Sequence, residues 1–391
     1  MGAIMPNPFL FGKIVTDKHF CNREKERQLI IDNLMGGQSI VVISSRRMGK
    51  SSLLAVVSDK LKTQGLVCGR IDFFALNSIR KILGETVRVC AQMMLDQETN
   101  LKRFLSLAAD VFKRTRIAIE PTPDGNVSIK PEVGLPADIR TSLSEAILGL
   151  DRLLEKKKKQ GLLVMDEFQE IALIDKDGSN ALEAEFRTIV QSAKQLSFAF
   201  LGSQASLLSE MFTARQRPFF QAAKIIQLGP IDRRSLESYI RRRFLSVGVK
   251  VDKVEEVLSL VEGHPDYTQR YCSHLYDIVT ASGASPPAIQ LDESLYRQGL
   301  DAMIDGCELI FIPEWQTFPL RQQQVLSVLA EKGPLRRVAA VNLAEYEMTH
   351  TSFNTALRQL IRKGLLREDE NGNYCLVDPI FRRWIARRAV G

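Results

Sequence analysis

IVVISSRRMGKSS, the stretch from Ile40 to Ser52, decides the fold predicted for this chain. The β-branched residues at its start predict a strand, and the apolar run Leu53–Val57 directly after it predicts a helix. Between them, Gly49-Lys50-Ser51 ends a loop of the type that binds phosphate, because the unpaired N–H groups at a helix start face an anion. The sequence therefore predicts a nucleoside-triphosphate site.

Individual residues of this loop have predicted roles. Lys50 brings a mobile positive charge to the β- and γ-phosphates, and the Ser51 hydroxyl is a ligand for Mg²⁺. The rest of the predicted cradle is Arg46, Arg47, Met48, Gly49 and Ser52. Ser44 stands where the G-x-x-x-x-G-K-[ST] pattern has its first glycine, and this small residue fits the turn if its φ is negative.

A second motif follows later in the chain. The apolar run Gly161–Met165 predicts a strand buried on both faces of a parallel sheet, and Asp166 and Glu167 follow it. Ligands bind at the carboxyl ends of such strands, so Asp166 is expected to hold Mg²⁺ and Glu167 to act as the general base for the attacking water. The alternative is a helix N-cap that holds no ligand. Two motifs in this order favour the ATP site.

Two further candidates come after this strand. Ser203 and Gln204 follow the apolar strand predicted at Ser197–Leu201, where they can contact the γ-phosphate or the water, or only cap the next helix. Arg217 lies in the following loop, where it can stabilise transition-state charge in a neighbouring subunit of a nucleotide-dependent homo-oligomer. The alternative for Arg217 is an ordinary solvated side chain.

The segment before the phosphate loop allows two interpretations. A helix is predicted to run from Phe20 to about Leu34. In the functional interpretation Phe20 and Arg23 lie near the adenine and the phosphates. In the other interpretation this is an amphipathic helix that only leads into the core.

The composition of the 391 residues is that of a soluble globular protein with two or three domains: 45% are hydrophobic and 25% charged. The net charge of +7 permits contact with nucleic acid without requiring it. The six cysteines show no CxxC spacing and the four histidines no metal pattern. We find no signal peptide and no apolar run long enough for a membrane. A cytoplasmic location with reduced thiols and no membrane association is therefore expected.

The pattern of elements predicts three domains. Residues 1–230 form an α/β core with a parallel sheet, which carries an insertion around 80–140 with a hairpin at Asp124-Gly125. Residues 231–310 contain helices and no strand, and they form a lid over the nucleotide. Residues 311–391 form a winged helix.

The winged helix rests on three predicted helices and one hairpin. The helices are Gln322–Leu329, Val338–Tyr346 and Thr349–Lys363, and Asn371-Gly372 marks the turn of the hairpin. This segment has 12 Lys and Arg against 8 Asp and Glu, a net charge of +4. Arg358, Arg362 and Lys363 of the third helix can contact DNA. A domain that packs on the core or on a protein partner explains the same charge, and we prefer that alternative.

Taken together, these residues resemble the archaeal-type ATPase family, which belongs to the STAND and origin-recognition branch of AAA+ proteins. The resemblance extends from about Phe11 to about Ile278. Its motifs are Phe20–Glu24, Ser45–Leu54, Asp166–Glu170, Gly202–Gln204, Arg217–Phe220 and Gly263–Gln269. It implies an ATPase core that uses Mg²⁺ and ATP, a helical lid, a C-terminal winged helix, and nucleotide contacts from His264 and Pro265. Ser44 departs from the glycine usual in this family.

Three functions remain open at this stage. The first is an ATPase that binds ATP and ADP with Mg²⁺ and couples the nucleotide state to the positions of the lid and the winged helix. The second is a switch or scaffold with slow turnover that binds a protein partner. The third is a DNA-binding protein regulated by ATP. Turnover distinguishes the first from the second, and salt-dependent DNA binding distinguishes the third from both.

Overall fold

Packing divides the chain into two units. The computed structural model describes residues 6–98, 100–113, 117–122, 127–131, 139–174, 180–203, 205–281, 289–335, 343, 347–369 and 371–390. The sheet unit comprises Arg23–Arg46 and Lys50–Leu228. The helical unit comprises the stretch up to Asn22, the short segment Arg47–Gly49 and the chain from Gly229 onwards.

The sheet unit is built on five parallel strands. In chain order its strands are β1 (Ile40–Ile43), β2 (Val67–Asp72), β3 (Ile117–Pro121), β4 (Val127–Pro131), β5 (Gly161–Asp166), β6 (Leu196–Leu201) and β7 (Lys224–Gln227). Strands β3 and β4 pair as an antiparallel hairpin, and the other five form one sheet in the order β2-β5-β6-β1-β7. Every pair within this sheet is parallel. The predicted parallel sheet is confirmed.

Helices cover the sheet strands. They are α1 (Glu24–Met35), α2 (Lys50–Thr63), α3 (Ile79–Leu95), α4 (Leu101–Phe112), α5 (Ile139–Lys156), α6 (Ile171–Ile174), α7 (Ala181–Ser192) and α8 (Ala205–Thr213). Each residue of β5 and β6 is buried, as expected for central strands with both faces covered. A group of touching phenylalanine rings fills the space beside these strands: Phe73, Phe168, Phe186, Phe200, Phe212 and Phe219.

The inserted region begins with two helices, α3 and α4. They are separate because Asn100 starts α4 by accepting a hydrogen bond from the Arg103 backbone N–H. The predicted hairpin is present as β3 and β4. Its turn at Asp124-Gly125 lies outside the described residues.

The helical unit is mostly α-helical. Its elements are α9 (Arg233–Leu245), β8 (Val249–Lys250), α10 (Val254–Val261), α11 (Pro265–Ala281), β9 (Ile289–Gln290), α12 (Glu293–Gln316), α13 (Leu320–Lys332), α14 (His350–Arg362), β10 (Leu366–Glu368), β11 (Tyr374–Leu376) and α15 (Pro379–Val390). The expectation of no strand between 231 and 310 is wrong, because β8 and β9 pair in parallel. Two residues each are too few to show a strand period in the sequence.

The segment before α1 packs into the helical unit. Phe9 is buried, and its ring lies 4.7 Å from that of Phe244 on α9. The Pro8 carbonyl accepts hydrogen bonds from the buried Arg243 guanidinium. The Leu10 backbone N–H donates to Gln269 Oε1 over 3.2 Å. These contacts join residues far apart in the chain into one core.

The C-terminal elements match part of the predicted winged helix. The first and third predicted helices are present as α13 and α14, Thr349 caps α14, and β10 pairs with β11 in antiparallel fashion. The second predicted helix, Val338–Tyr346, lies outside the described residues except for Leu343. The predicted boundary at 310/311 falls inside α12, which continues through it. The three-domain division and the winged helix stay predictions.

The last helix, α15, is held to the preceding helices by polar contacts. Tyr267 on α11 donates a hydrogen bond to Asp378, which precedes α15. Arg382 on α15 pairs with Glu262 at 2.5 Å, and Arg387 pairs with Asp305 on α12 at 2.6 Å.

Two further observations concern the thiols and the membrane. All six cysteines fall within the described residues and are free thiols. Among the described helices, none combines the length and the apolar character that a bilayer crossing requires.

Candidate functional site

The predicted site residues of the sheet unit converge at the carboxyl edge of its sheet. Strand β6 lies between β5 and β1, so the loops that follow these three strands are neighbours. The phosphate loop follows β1, Asp166 ends β5, and Ser203 follows β6. This edge is where parallel α/β sheets bind ligands.

The loop after β1 turns tightly before α2. Arg47 has φ 60° and Gly49 has φ 83°, so two residues in the left-handed region turn the chain before α2 begins at Lys50. Gly49 adopts this conformation without the steric cost that a side chain brings. Ser44 is not among the described residues with positive φ, which is the condition under which serine fits the first position of the loop.

Lys50 is buried, and its ammonium group is bonded to the loop itself. Its Nζ donates to Ser44 Oγ over 2.9 Å and to the Ser45 carbonyl over 3.1 Å. Burial lowers the pKa of Lys50 to about 8, and the nearby charges of Glu167 and Asp166 oppose this shift. A bound phosphate would offer this ammonium a full negative charge in place of neutral oxygens.

Asp166 and Ser51 are in direct contact. The Ser51 hydroxyl donates to Asp166 Oδ2 over 2.9 Å, and Asp166 Oδ1 accepts from the Glu167 backbone N–H over 3.0 Å. The same Oδ2 is 2.5 Å from a guanidinium nitrogen of Arg70 on β2. A carboxylate and a hydroxyl oxygen side by side are the ligand types that Mg²⁺ prefers. The residues present therefore fit a magnesium ion bound together with nucleotide.

Glu167 is held by residues from two loops. Its Oε2 accepts from Ser203 Oγ over 2.8 Å, from the Ser203 backbone N–H over 3.0 Å and from Gln169 Nε2 over 2.6 Å. Burial alone would raise the pKa of Glu167, but these hydrogen bonds and the Lys50 charge outweigh it and hold that pKa below its usual value. The carboxylate is therefore ionised at neutral pH, as a proton acceptor must be.

Gly202, the residue before Ser203, lies close to the side chain of Gln169. A Cβ built on Gly202 would lie 2.0 Å from Gln169 Oε1, so a side chain here would require the amide that holds Glu167 to shift. Gln169 is fully buried. The Gly202-Ser203 pair thus supplies both space and hydrogen-bond donors to the carboxylate.

Arg217 has partners within its own unit. Its guanidinium pairs with the fully buried Glu183 on α7 and lies 3.4 Å from Asn180 Oδ1. The next residues pack into the core, because Phe219 belongs to the phenylalanine group described above. The expectation of a solvated side chain is therefore wrong. A role of Arg217 in a neighbouring subunit stays a prediction, and it requires the pair with Glu183 to open.

We expect Arg217→Ala to destabilise the chain by about 3–5 kcal/mol, because it leaves the Glu183 carboxylate buried without its cation. Denaturant unfolding of the full chain measures this change. Arg215→Ala is the matched control, since Arg215 is an exposed arginine of the same loop. Restoration of stability by adding Glu183→Gln would confirm the cause, and an unchanged unfolding midpoint in Arg217→Ala would contradict it.

The other predicted nucleotide contacts divide between the units. Arg23 belongs to the sheet unit, where it is buried and pairs with Glu26 at 3.1 Å. Phe20, His264 and Pro265 belong to the helical unit. The His264 ring lies 4.3 Å from that of Tyr267, and Pro265 opens α11 at the first helical position that proline favours.

The other predicted residues of the phosphate loop differ in exposure and in the unit to which they belong. Arg46 is exposed, whereas Met48 and Ser52 are buried. Arg47 and Gly49 group with the helical unit, in which Arg47 lies 3.9 Å from Asp266. Gln204 lies outside the described residues.

The sequence reasoning missed two residues of the cluster. They are Gln169, which belongs to the Asp166–Glu170 motif without a role of its own there, and Arg70. Arg70 reaches Asp166 because β2 pairs with β5. No spacing rule connects it with Asp166, which is 96 residues away.

Comparisons with known proteins agree with this architecture. No family model matches the chain, and no curated protein matches its sequence. The chain is similar to the Walker-type ATPase of Pyrococcus abyssi, with a TM-score of 0.66 and 18% identity over 94% of this chain and 96% of that chain.

The chain is also similar to the ORC2 protein of Aeropyrum pernix. For the structure with ADPNP and ADP, the TM-score is 0.55 at 14% identity, with 99% of each chain covered. For the ADP form it is 0.52 at 14% identity, over 96% of this chain and 98% of that chain. The chain therefore has the α/β P-loop fold of these archaeal proteins with a helical C-terminal region, and the predicted fold class and resemblance are confirmed at this level.

Proposed function

We propose that this chain is an ATPase that binds ATP with Mg²⁺ in its sheet unit and hydrolyses the terminal phosphate. One observation carries the proposal: five residues from three separate segments of the chain meet at the carboxyl edge of a parallel sheet, namely Lys50, Ser51, Asp166, Glu167 and Ser203. The likeness in fold to structures of ORC2 with ADPNP and ADP supports a nucleotide as the ligand.

The chain's own groups supply binding and proton transfer. The N–H groups at the start of α2 and the Lys50 ammonium bind the phosphates, for which Lys50 leaves Ser44 and Ser45. Glu167 accepts a proton from the attacking water. Ser203, which donates to Glu167, orients either that carboxylate or the terminal phosphate.

Asp166 and the Ser51 hydroxyl would hold the magnesium ion. The ion would neutralise charge that develops on the phosphate oxygens. The hydrogen bond between these two side chains places both oxygens side by side.

We further propose that the nucleotide state controls the positions of the helical lid and the winged helix. The slow switch that binds a protein partner remains the alternative, because the same site can hold nucleotide without rapid turnover.

The test measures ATP hydrolysis by the full chain, with and without DNA, across a hundredfold range of protein concentration. Turnover supports the ATPase, and bound nucleotide without turnover supports the switch. A rate per subunit that rises with concentration supports completion of the site by a second copy.

The surface of α14 supports DNA binding as a second candidate. Arg358 and Arg362 are four residues apart, so they share one helix face. Both are exposed, and neither forms an ion pair within the described residues. Lys363 is engaged instead, since its Nζ donates to Gln322 Oε1 over 2.9 Å and lies 5.2 Å from the Phe318 ring centre.

If this face contacts DNA phosphates, the double variant Arg358→Ala, Arg362→Ala should lower the slope of log affinity against log salt by about two. Fluorescence anisotropy of a labelled duplex measures this slope, and the basal ATPase rate should stay unchanged. Lys60→Ala, Lys62→Ala removes the same charge from α2 as a control. A parent chain that does not bind the duplex at low salt would remove DNA from the candidates and leave a protein partner for this face.

A further inference from the structure

Arg70, a cation with no role in the proposed hydrolysis, contacts Asp166, the predicted metal ligand. Arg70, on the edge strand β2, places a guanidinium nitrogen 2.5 Å from Asp166 Oδ2. The Asp166 side chain is only 5% exposed, whereas that of Arg70 is 37% exposed. The acid is thus fixed inside the site, and the arginine reaches it from the solvent side.

Three protein groups bond the Asp166 carboxylate. Oδ2 accepts from both Arg70 and the Ser51 hydroxyl, and Oδ1 accepts from the Glu167 backbone N–H. A divalent cation that binds Oδ2 beside the Ser51 hydroxyl therefore competes with the Arg70 contact. A guanidinium and a metal ion next to one oxygen would repel each other strongly in this partly buried place.

Two cations lie beside the two acids of the predicted metal position. Lys50 and Arg70 contribute two positive charges there, and Asp166 and Glu167 contribute two negative charges. The two cations weaken the attraction of these acids for a divalent cation that binds alone. A nucleotide brings several negative charges, and these compensate both Lys50 and an incoming metal ion.

Arg70 has a second carboxylate within reach. The same guanidinium nitrogen lies 3.9 Å from Asp72 Oδ2. Asp72 follows Arg70 by two residues on β2, and it pairs directly with Asp166 of the adjacent strand β5. Both acids therefore lie near the Arg70 side chain. The Phe74 backbone N–H donates to Asp72 Oδ1 over 3.0 Å and fixes this acid at the strand end.

We propose that Arg70 is a positioning residue that occupies the Asp166 carboxylate until nucleotide and metal arrive together, and that Asp72 then receives its guanidinium. In this way the chain binds the metal with the nucleotide and not before it. The inference rests on the proposed function, since it concerns the same metal site.

The first experiment titrates the nucleotide-free full chain with Mn²⁺ alone and follows the free ion by electron paramagnetic resonance. Mn²⁺ accepts the same oxygen ligands as Mg²⁺. We expect Arg70→Gln to tighten Mn²⁺ binding by about tenfold or more, because a unit charge removed from a partly buried site counts for more than in water. Arg70→Lys retains the charge and should bind Mn²⁺ as weakly as the parent.

Two controls locate the effect. Arg88→Gln removes an arginine of similar exposure on α3, where it pairs with Glu85, and should leave Mn²⁺ binding unchanged. Asp166→Asn added to Arg70→Gln should abolish the gain. A purely structural role of Arg70 predicts lower stability without tighter Mn²⁺ binding, so denaturant unfolding is measured in parallel.

The second experiment uses Asp72→Asn, which retains the acceptor for Phe74 and leaves the pair of Arg70 with Asp166 intact. Labelled ATP is bound at increasing Mg²⁺ concentration. We expect the Mg²⁺ concentration for half-maximal binding to rise roughly two- to fivefold, in line with an exposed ion pair. Arg70→Gln should thus bind the metal more tightly, whereas Asp72→Asn should need more Mg²⁺ to bind ATP. If Arg70→Gln does not fold, the result for Asp72→Asn alone tests the proposed role of Arg70.

Unchanged Mn²⁺ binding in a folded Arg70→Gln variant, or unchanged Mg²⁺ dependence in Asp72→Asn, would overturn the inference. Weaker binding of metal-free ATP by Arg70→Gln would also overturn it, because Arg70 would then bind phosphate directly. These outcomes leave the proposed function intact as long as the parent binds ATP. A parent that binds no ATP at any Mg²⁺ concentration would instead overturn the proposed function.

Discussion

Replacement of Lys50 by alanine should weaken ATP binding by about 3 kcal/mol, or more than a hundredfold in the dissociation constant. Lys50 is the buried cation of the phosphate loop, and its ammonium lies among the Ser44 and Ser45 oxygens at the start of α2. Its removal takes this charged partner from the phosphates. Equilibrium binding of labelled ATP to the full chain measures the loss.

Lys60→Ala is the matched control for this variant, because Lys60 is an exposed lysine of the same helix. It should bind ATP like the parent. If Lys50→Ala also binds ATP as tightly as the parent, the assignment of the phosphate loop is wrong.

The pH dependence of binding gives a second test of Lys50. Its pKa is lowered to about 8, mainly by burial, and phosphate favours the protonated form. ATP affinity should therefore weaken as the pH rises through about 8, because Lys50 then loses its charge. The Lys50→Ala variant should lose that dependence, which identifies the titrating group.

The second large effect is expected for Glu167→Gln, which should retain ATP binding and lower the hydrolysis rate by about 10²–10⁴. Glutamine keeps the shape of the side chain and can still accept hydrogen bonds from Ser203 and Gln169 through its amide oxygen. It cannot accept the proton of the attacking water. Single-turnover hydrolysis of radiolabelled ATP separates this loss from any change in binding.

Glu210→Gln serves as the control for Glu167→Gln, since Glu210 is an exposed acid on α8 of the same unit. It should hydrolyse ATP at the parent rate. Equal turnover in Glu167→Gln and the parent would exclude the general-base role and would favour the slow switch.

The parallel core could be predicted from the sequence because its signals are local. The IVVI run before Gly49-Lys50-Ser51 and the apolar run before Asp166 each predict a strand followed by a polar loop. The structure contains both, as β1 and β5, with β6 between them. Burial of β5 and β6 on both faces accounts for the absence of alternation in their sequences.

The partners of the site residues could not be predicted in the same way. Arg70 meets Asp166 only because β2 pairs with β5, and the sequence contains no sign of strand order. Arg217 looked like a loop arginine for solvent or a neighbouring subunit, but its charge is matched by Glu183, whose position on the buried face of α7 appears only after folding. Such contacts depend on tertiary packing and not on spacing.

Sequence patterns also fail to predict two features of the helical unit. Strands β8 and β9 have only two residues each and lie far apart in the chain, so no local pattern predicts their pairing. Helix α12 extends over 24 residues through a predicted domain boundary, with Pro313 inside it. Proline usually indicates the end of a helix, and here the packing of the helical unit overrides that tendency.

The packing of Phe9 and Pro8 into the helical unit has a consequence for how the chain is made. Their partners Arg243, Phe244 and Gln269 emerge from the ribosome only after the whole sheet unit has been translated. At about 5–20 residues per second, the early segment waits on the order of ten seconds or longer before these partners exist. The sheet unit can fold during that interval, whereas the helical unit cannot close its core until translation has passed α11.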